Sequence, residues 1–539
     1  MKKYLWLSLA ALGFVACEKG IDNENPQNGE KEQSYVAITL AAADINTSRA
    51  EGGMYKEGRD EERAVKSAYV FFFKDNAAFP VAFDGTTSTN AGSKNYLDVK
   101  LKGKEDDMPN VSDVKDAVLV LQKYKGEYPN QVVAVLNWSP QYMKDSYTLD
   151  DLKAEIATLG NDEKGYVMSN AVYEDKANET IDAVALTIAN IGKTEQEALN
   201  NPVTIHVERV AAKVEFTAAN KEGLFDTGEV VDGKKVYAKI EGFELYNDAE
   251  KSWLIKKINN KWDDENLGFK NWTDPDWNRS YWAQSIDEKP FGDNNHFDWV
   301  ENDAALNGNS KDLNDYVYCG ENTLAWSKAA DVRTKVIVKA TLVDADEKPF
   351  EVVNWYGKEY TGEKTLKTVV ANTLATTYFY STDGQSFESI KPEDIKCAER
   401  DPKSEKAYEV YFQLSEETDL GVNKSWYKYQ DNGYQKIEDD KLNEELATVE
   451  PALVYNDGMT YYYTDIKHLG GKETTAEYGV VRNHIYKVNI SAIKGFGTPV
   501  YNGETDFVTP EKPQAIETYV AAQINILTWR IVANDYPLE

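Results

Sequence analysis

Apolar and polar residues alternate with a period of two along much of this chain, the pattern that sends successive side chains to opposite faces of a β-strand. Near the N-terminus, residues 34–49 read as a short strand ending at Arg49, with Val36, Ile38 and Leu40 on one face. The far end of the chain repeats the theme, because Val520, Ala522, Ile524 and Ile526 share one parity. Leu527, Trp529 and Ile531 then take the opposite parity, and a single face cannot serve both sets. A bulge, or two segments that meet different sheets, is expected there.

Between these ends, residues 64–73 form the first strong strand of the body, and the run Val70-Phe71-Phe72-Phe73 predicts burial on both faces. Further strands are expected at 117–122, 131–136, 184–188 and 203–216, then at 235–245, 334–342, 409–414 and 484–493. Asp431-Asn432-Gly433 and Asn456-Asp457-Gly458 supply the residues that tight hairpins favour at positive φ. Helices are the minority. The clearest covers 148–156, with Thr148 as N-cap and Asp150 and Asp151 in the first turn. Periodicity lapses over 217–223, which places a boundary between two domains, each long enough to bury its own core. Residues 495–514 carry three prolines and three glycines, so the last strand hangs on an extended or flexible linker and can leave its own domain.

The leader changes the picture from a β-protein to an exported one. Lys2 and Lys3 precede an apolar run over 4–16, about half of the roughly 20 residues that span a bilayer as a helix, so the run reads as a signal peptide. Ala16 before Cys17 matches the site of lipoprotein signal peptidase, with Cys17 as lipid acceptor; ordinary secretion with cleavage near Ala16 is the alternative. Residues 18–26 are a polar, acidic tether. A formal net charge of −31 excludes nucleic acid as a partner, since clustered Lys and Arg supply most of that affinity. Cys319 and Cys397 remain either as two buried thiols or, in oxidising surroundings, as a pair.

Common catalytic and cofactor motifs are missing: there is no Walker A loop, no His-Glu-x-x-His, no Gly-x-Ser-x-Gly and no Cys-x-x-Cys. The four histidines are scattered, and His206 and His484 fall in strand-like segments, so neither an enzyme nor a metal or cofactor site is expected. One region stands out by composition. Trp253, Trp262, Trp272, Trp277, Trp282 and Trp299 lie among Asp263, Asp264, Asp274, Asp276 and Asp298, either as the core of a large insertion or as a sugar-binding surface. The second option would make the chain a surface glycan-binding lipoprotein. Of nine arginines, Arg49, Arg59 and Arg63 fall between the N-terminal strand and the body, and the small, Gly-rich stretch 47–53 suits presentation to a protease.

With these features in order along the chain, it resembles the major fimbrilins of the short fimbriae of Bacteroidales, type V pilus subunits of the fimbrillin family. The resemblance rests on the leader at Cys17, Arg49-Ala50, Tyr69 to Phe73, Val133-Ala134-Val135-Leu136-Asn137, Val167-Met168-Ser169-Asn170 and the run Val207 to Val214. Arg279-Ser280-Tyr281-Trp282-Ala283, Tyr318-Cys319-Gly320-Glu321-Asn322-Thr323 and Trp529 extend it. It implies a mainly β fold of two β-sandwich-like, transthyretin-like domains with a few short helices and a detachable C-terminal strand. The implied organisation is a signal peptide at 1–16, a propeptide with a plug strand at 17–49, an N-terminal domain at 50–216, a C-terminal domain at 217–500, and linker with donor strand at 501–539. Cleavage between Arg49 and Ala50 by an arginine-specific protease, with Arg59 and Arg63 as alternatives, would free the groove that Val36, Ile38 and Leu40 fill. A neighbour's Val520, Ala522, Ile524, Ile526, Leu527, Trp529 and Ile531 would replace them. The implied product is a surface fimbrium whose precursor is lipid-anchored to the outer membrane. Its implied partners are identical subunits, anchor and tip accessory subunits, and host or bacterial surface receptors, and its roles are adhesion, biofilm formation and virulence.

Overall fold

The computed structural model describes residues 31–41, 55–83, 93–99, 116–124, 126–174, 180–258, 284–286, 297–298, 311–323, 333–399, 409–415, 424–468, 477–503 and 519–530. The elements that matter below are β1 (Lys31–Ala41), β2 (Tyr55–Glu57), α1 (Asp60–Arg63), β3 (Asp116–Tyr124), β4 (Ile191–Gly192), α2 (Glu195–Leu199), β5 (Val203–Arg209), β6 (Ala212–Ala218), β7 (Tyr316–Cys319), β8 (His484–Lys494) and β9 (Tyr519–Arg530). The chain is mainly β, as its alternation predicts, and its helices are few and short.

A ten-stranded sheet gathers the N-terminal half, running from β4 through β1 and β5 to Met168–Asn170, Gln131–Leu136, Ala68–Lys74 and Ala77–Ala78, with β3 on the free side of β1. Its two faces bury different residues of the same strand. Val70 and Phe72 pack with Val132, Ala134, Ile205 and Val207 on one side. Phe71 and Phe73 pack with Val133, Val135, Trp138 and Tyr147 on the other. The apolar run at 70–73 is therefore covered on both faces, as expected. The helix expected at 148–156 spans Leu149–Lys153; Thr148 Oγ1 accepts the Asp151 amide at 3.0 Å, and the carboxylate of Asp151 accepts the Thr148 amide at 2.9 Å. At 184–188 the strand is shorter than expected, ending at Ala185 before a 3₁₀ turn over Ile188–Asn190.

The stretch expected as one strand over 203–216 is two strands in two sheets. β5 ends at Arg209, Val210 and Ala211 are buried, and β6 joins a five-stranded sheet of order β2, β9, β8, β6, β7. Asn483 fixes the change, donating its amide to the Ala211 carbonyl at 2.8 Å while its side-chain oxygen accepts the Arg209 amide at 3.3 Å. Opposite β6 and β8 lies a second five-stranded sheet of Leu224–Val231, Lys234–Tyr246, Lys335–Val343, Met459–Asp465 and Thr498–Pro499. Val214, Phe216, Val488 and Ile490 from one sheet and Val236, Phe243, Val338 and Leu342 from the other share one core, with Phe216 and Phe243 stacked at 4.5 Å.

A third core lies between Val352 and Leu453, where Val353, Leu366, Val370, Tyr380, Phe412, Trp426 and Leu446 pack together. Its hairpin turn at Asp431 and Asn432 has positive φ at both residues, joining Gln430 to Gly433 in register as the sequence predicts. The Asn456-Asp457-Gly458 turn is not a hairpin. It carries the chain from Ala452–Tyr455 of one sheet to Met459–Asp465 of another, and a Cβ at Gly458 would meet the Leu342 carbonyl at 2.3 Å.

Candidate functional site

β1 is a strand inserted between others. Along one side it runs antiparallel to β3, from Lys31 opposite Tyr124 to Thr39 opposite Asp116. Along the other it pairs antiparallel with β4 at Tyr35 and Val36, then parallel with β5 from Ile38 opposite Val203 to Ala41 opposite His206. Val36 and Ile38 are buried in the core with Leu119, Leu121, Val203 and Ile205. α2 packs across β1, beginning at Thr194, whose hydroxyl accepts the Glu197 amide at 3.2 Å, and buries Ala198. Among the described residues β3 has β1 as its sole strand partner; its other backbone tie is the Gln122 amide donating to the Val81 carbonyl at 2.9 Å. Without β1 a gap one strand wide would open between β3 and the β4–β5 side. Leu40 is described through its backbone, opposite Ile205, while Cys17, Arg49 and Ala50 lie outside the described residues.

β9 occupies a different place. It runs antiparallel to β8, from Tyr519 opposite Lys494 to Thr528 opposite His484, and at its end parallel to β2, with Tyr55, Lys56 and Glu57 opposite Thr528, Trp529 and Arg530. Val520, Ala522, Ile524, Ile526, Leu527 and Trp529 thus lie on one strand, described through its backbone, while Ile531 lies outside the described residues. The irregularity expected at the parity change is elsewhere. Ile526 and Leu527 pair one for one with Tyr486 and Ile485, and the extra residue is Ser491 of β8, between the partners of Ala522 and Ala521. Behind β9, Tyr486, Val488 and Ile490 are buried in a core assembled from β6, β8 and the facing sheet.

Just after β2, α1 is fixed by a buried polar cluster. Glu62 of α1 accepts the Arg59 amide at 2.7 Å, Lys213 Nζ of β6 at 3.0 Å, and the hydroxyl of Tyr318 on β7. Arg209 donates Nε–H to the Glu62 carbonyl at 2.8 Å. Burial alone would raise the Glu62 pKa, but the Tyr318 hydroxyl and Lys213 hold it down at about 2. Arg59 extends the cluster to Asp162 at 3.0 Å and to Tyr318 Oη at 2.8 Å, with its guanidinium 4.9 Å from the centre of the Tyr316 ring. Arg63 pairs with Asp60. A second cluster sits deeper: Lys256 pairs with Glu208 at 2.9 Å and Arg482 with Glu321 at 2.7 Å. Arg482 also donates to the Trp253 and Leu254 carbonyls at 2.6 and 3.3 Å. Burial pushes Glu208 up and Lys256 down, against the attraction between them.

These clusters were not singled out in the sequence, although Glu208-Arg209 and Lys213 are charges set within apolar strands and signal buried pairing. His206 and His484 sit in strands, and His484 Nδ1 lies 2.7 Å from the Arg482 carbonyl oxygen. Cys319 and Cys397 are separate buried thiols. Of the tryptophan-rich region, Trp253 is described: its indole N–H donates to the Ser285 carbonyl at 3.3 Å and its ring lies against Lys257. Trp262, Trp272, Trp277, Trp282 and Trp299, with Asp263, Asp264, Asp274 and Asp276, lie outside the described residues. Among the described residues no His, Cys, Asp and Glu group could hold a metal ion, and no helix is long and apolar enough to cross a membrane.

Residues 453–535 match the family described as "Major fimbrial subunit protein type IV, Fimbrillin, C-terminal", a span that includes both β8 and β9. No curated protein matches the chain. Similar solved structures include a fimbrilin from Porphyromonas gingivalis W83, at 11% identity over 92% of this chain and 98% of that one, with a TM-score of 0.38. Another is the tip fimbrial protein of Porphyromonas gingivalis with a C-terminal truncation, at 11% identity over 92% of this chain and 100% of that one, with a TM-score of 0.32. Residues 453–535, which include β8 and the β9 tail, thus match the C-terminal module of fimbrillin-type fimbrial subunits.

Proposed function

We propose that this chain is the structural subunit of a fimbrial shaft, lipidated at Cys17, cleaved between Arg49 and Ala50 by an arginine-specific protease, and polymerised by exchange of its C-terminal strand. The observation that carries the reading is the seating of β1. A strand from the part of the chain ahead of Arg49 fills a slot between β3 and the β4–β5 side, with Val36 and Ile38 buried. Before the cut it covers edges that would otherwise template pairing, which keeps the precursor monomeric.

After the cut, a neighbour's residues 519–531 take the slot by main-chain pairing, with Val520, Ala522, Ile524, Ile526, Leu527, Trp529 and Ile531 supplying the side chains. One slot and one tail per subunit make the contact heterologous, so assembly runs on into a filament. The guanidinium of Arg59 is engaged by Glu62, Asp162 and Tyr318, which makes it a poor cleavage site. Anchor and tip accessory subunits would end the filament, and its surface would meet host or bacterial receptors in adhesion, biofilm formation and virulence.

The test is to treat the purified precursor with an arginine-specific protease, image it by electron microscopy and sequence the N-terminus of whatever assembles. Filaments beginning at Ala50 are expected, and a chain lacking 515–539 should stay folded and monomeric. Filaments from that truncated chain would overturn the donor assignment.

A further inference from the structure

Two Lys–Glu pairs are almost fully enclosed: Lys213 with Glu62, at 3% and 1% exposure, and Lys256 with Glu208, both at 0%. Burying such ions is costly unless hydrogen bonds satisfy them, so the shell around each carboxylate decides its fate. Glu62 is well satisfied. The Arg59 amide and Nε, Lys213 Nζ and the Tyr318 hydroxyl all donate to it, and it stays ionised with a pKa of about 2. Glu208 has no such shell. Lys256 Nζ lies 2.9 Å from one of its oxygens, but among the described residues neither oxygen accepts a hydrogen bond of ordinary geometry. The other cation of the cluster, Arg482, is turned toward Glu321 and the Trp253 and Leu254 carbonyls.

Both partners of this second pair are fixed in place. Glu208 is on β5, where it stands opposite Ser169 in the ten-stranded sheet. Ser169 Oγ donates to the Leu254 carbonyl at 2.6 Å, and the Leu254 amide donates to the Glu155 carbonyl at 2.8 Å. Leu254 and Ile255 are fully buried in the core that holds Val133, Val135 and Trp138, which sets the main chain leading to Lys256. An amine and a carboxyl group are thus kept in contact where water is excluded, as a bimolecular reaction made intramolecular requires. Burial disfavours the ammonium and the carboxylate alike, and the negative charge of Glu321 further disfavours charge on Glu208. Neutral amine and carboxylic acid are the forms that condense.

We infer that Lys256 and Glu208 condense to an isopeptide cross-link. One proton passes from Lys256 Nζ to the Glu208 carboxylate, and the freed lone pair attacks Cδ. The Nζ–Cδ bond forms, a Cδ–O bond breaks, and the hydroxyl departs with a second proton from nitrogen as water. The ion pair becomes a neutral amide, so no oxidant, reductant or other reactant is needed. The product replaces two buried ions by one amide and closes residues 208–256 into a covalent loop. That loop ties the ten-stranded sheet to the segment after Trp253. Glu62 and Lys213 stay apart, because a carboxylate held ionised by its donors is a poor electrophile. Such a staple suits a subunit under tension, a use that rests on the proposed function, but the bond itself forms without cleavage or polymerisation.

The experiment is mass spectrometry of the purified, uncut, unmutated chain, first intact and then denatured and digested with trypsin. The whole chain is expected to be lighter than its sequence by one water molecule. The peptides that carry Glu208 and Lys256 should appear as one branched species with no cut after Lys256, while those that carry Glu62 and Lys213 remain separate and serve as the internal control. Lys256→Arg keeps the cation but removes the amine, and it should restore the full mass. Separate, full-mass peptides of Glu208 and Lys256 from the folded unmutated chain would overturn the cross-link. So would a one-water deficit that persists in Lys256→Arg. The first of these needs no variant to fold. Neither involves filaments, so failure here is distinct from failure of strand exchange between subunits.

Discussion

Ile38→Ala in the uncleaved chain tests the seating of β1 most directly. Ile38 is 2% exposed and packs in the core with Val36, Leu119, Leu121 and Ile205. Truncating a buried isoleucine to alanine costs about 2–4 kcal/mol through lost transfer energy and the cavity left behind. Where β1 opens without global unfolding, that cost falls on the closed form, so the open population should rise by roughly 30- to 700-fold. Because β1 is the sole strand partner of β3 among the described residues, the amides of Asp116–Tyr124 should lose protection together with those of Lys31–Ala41. Hydrogen exchange read by mass spectrometry resolves both segments, with Gln131–Leu136 as the internal reference because it pairs with other strands of the sheet. The variant should also capture a synthetic peptide of residues 515–539 without proteolysis. If β3 stays protected while β1 opens, β3 is held by something other than β1, and the one-strand slot is refuted.

Other outcomes follow from the buried charges and thiols. Glu62→Gln should cost about 2–3 kcal/mol in denaturant titrations near neutral pH, less than for an isolated buried ion because Lys213 keeps Glu215 at 3.2 Å. The folded carboxyl titrates at about 2, below its ordinary value, so its contribution is complete above about pH 5 and is lost as pH falls toward 2. The gap between wild type and Glu62→Gln should close over that window, and a constant gap would mean the carboxylate charge is not what matters. Arg482→Met leaves Glu321 buried without its cation and should destabilise by about 3–5 kcal/mol in thermal or chemical unfolding; a neutral result would count against the buried pair. Cys319 and Cys397 are both buried, and burial raises the pKa of each. A thiol reagent should therefore label neither at neutral pH until denaturant is added, and rapid native labelling of either would contradict its placement.

What could be read from the chain was what depends on local period. Val36 and Ile38 are buried as expected, although Ala37 between them is buried too, the 70–73 run is covered on both faces, and the turn at Asp431 and Asn432 has the positive φ its residues favour. The break at Val210 and Ala211 was not legible, because the residues on both sides keep alternating and the break is made by Asn483, far along the chain. β2 was hidden for a related reason. Three residues beside a glycine pair read as exposed loop, and their strand conformation depends on β9, a partner nearly the whole length of the chain away. The parity change in the tail was visible, but no irregularity accompanies it: Ile526 and Leu527 pair one for one with Tyr486 and Ile485, and the extra residue, Ser491, lies opposite Ala521 and Ala522.

The direct passage from β5 through Val210 and Ala211 into β6 has a mechanical side. In a filament joined by exchanged strands, tension entering a subunit through the strand beside β5 crosses two residues of main chain to β6. From there it passes to β8 through their parallel pairing, and from β8 through the linker into its own tail. That load path meets the third core at the linker, where Tyr501 packs against it and Asn502 donates to Glu399 at 3.1 Å. The two-residue crossing at Val210 and Ala211 and the linker at Tyr501 are thus the places where tension would pass from one packed unit to the next, and substitutions there would weaken a fibre before substitutions elsewhere on the surface.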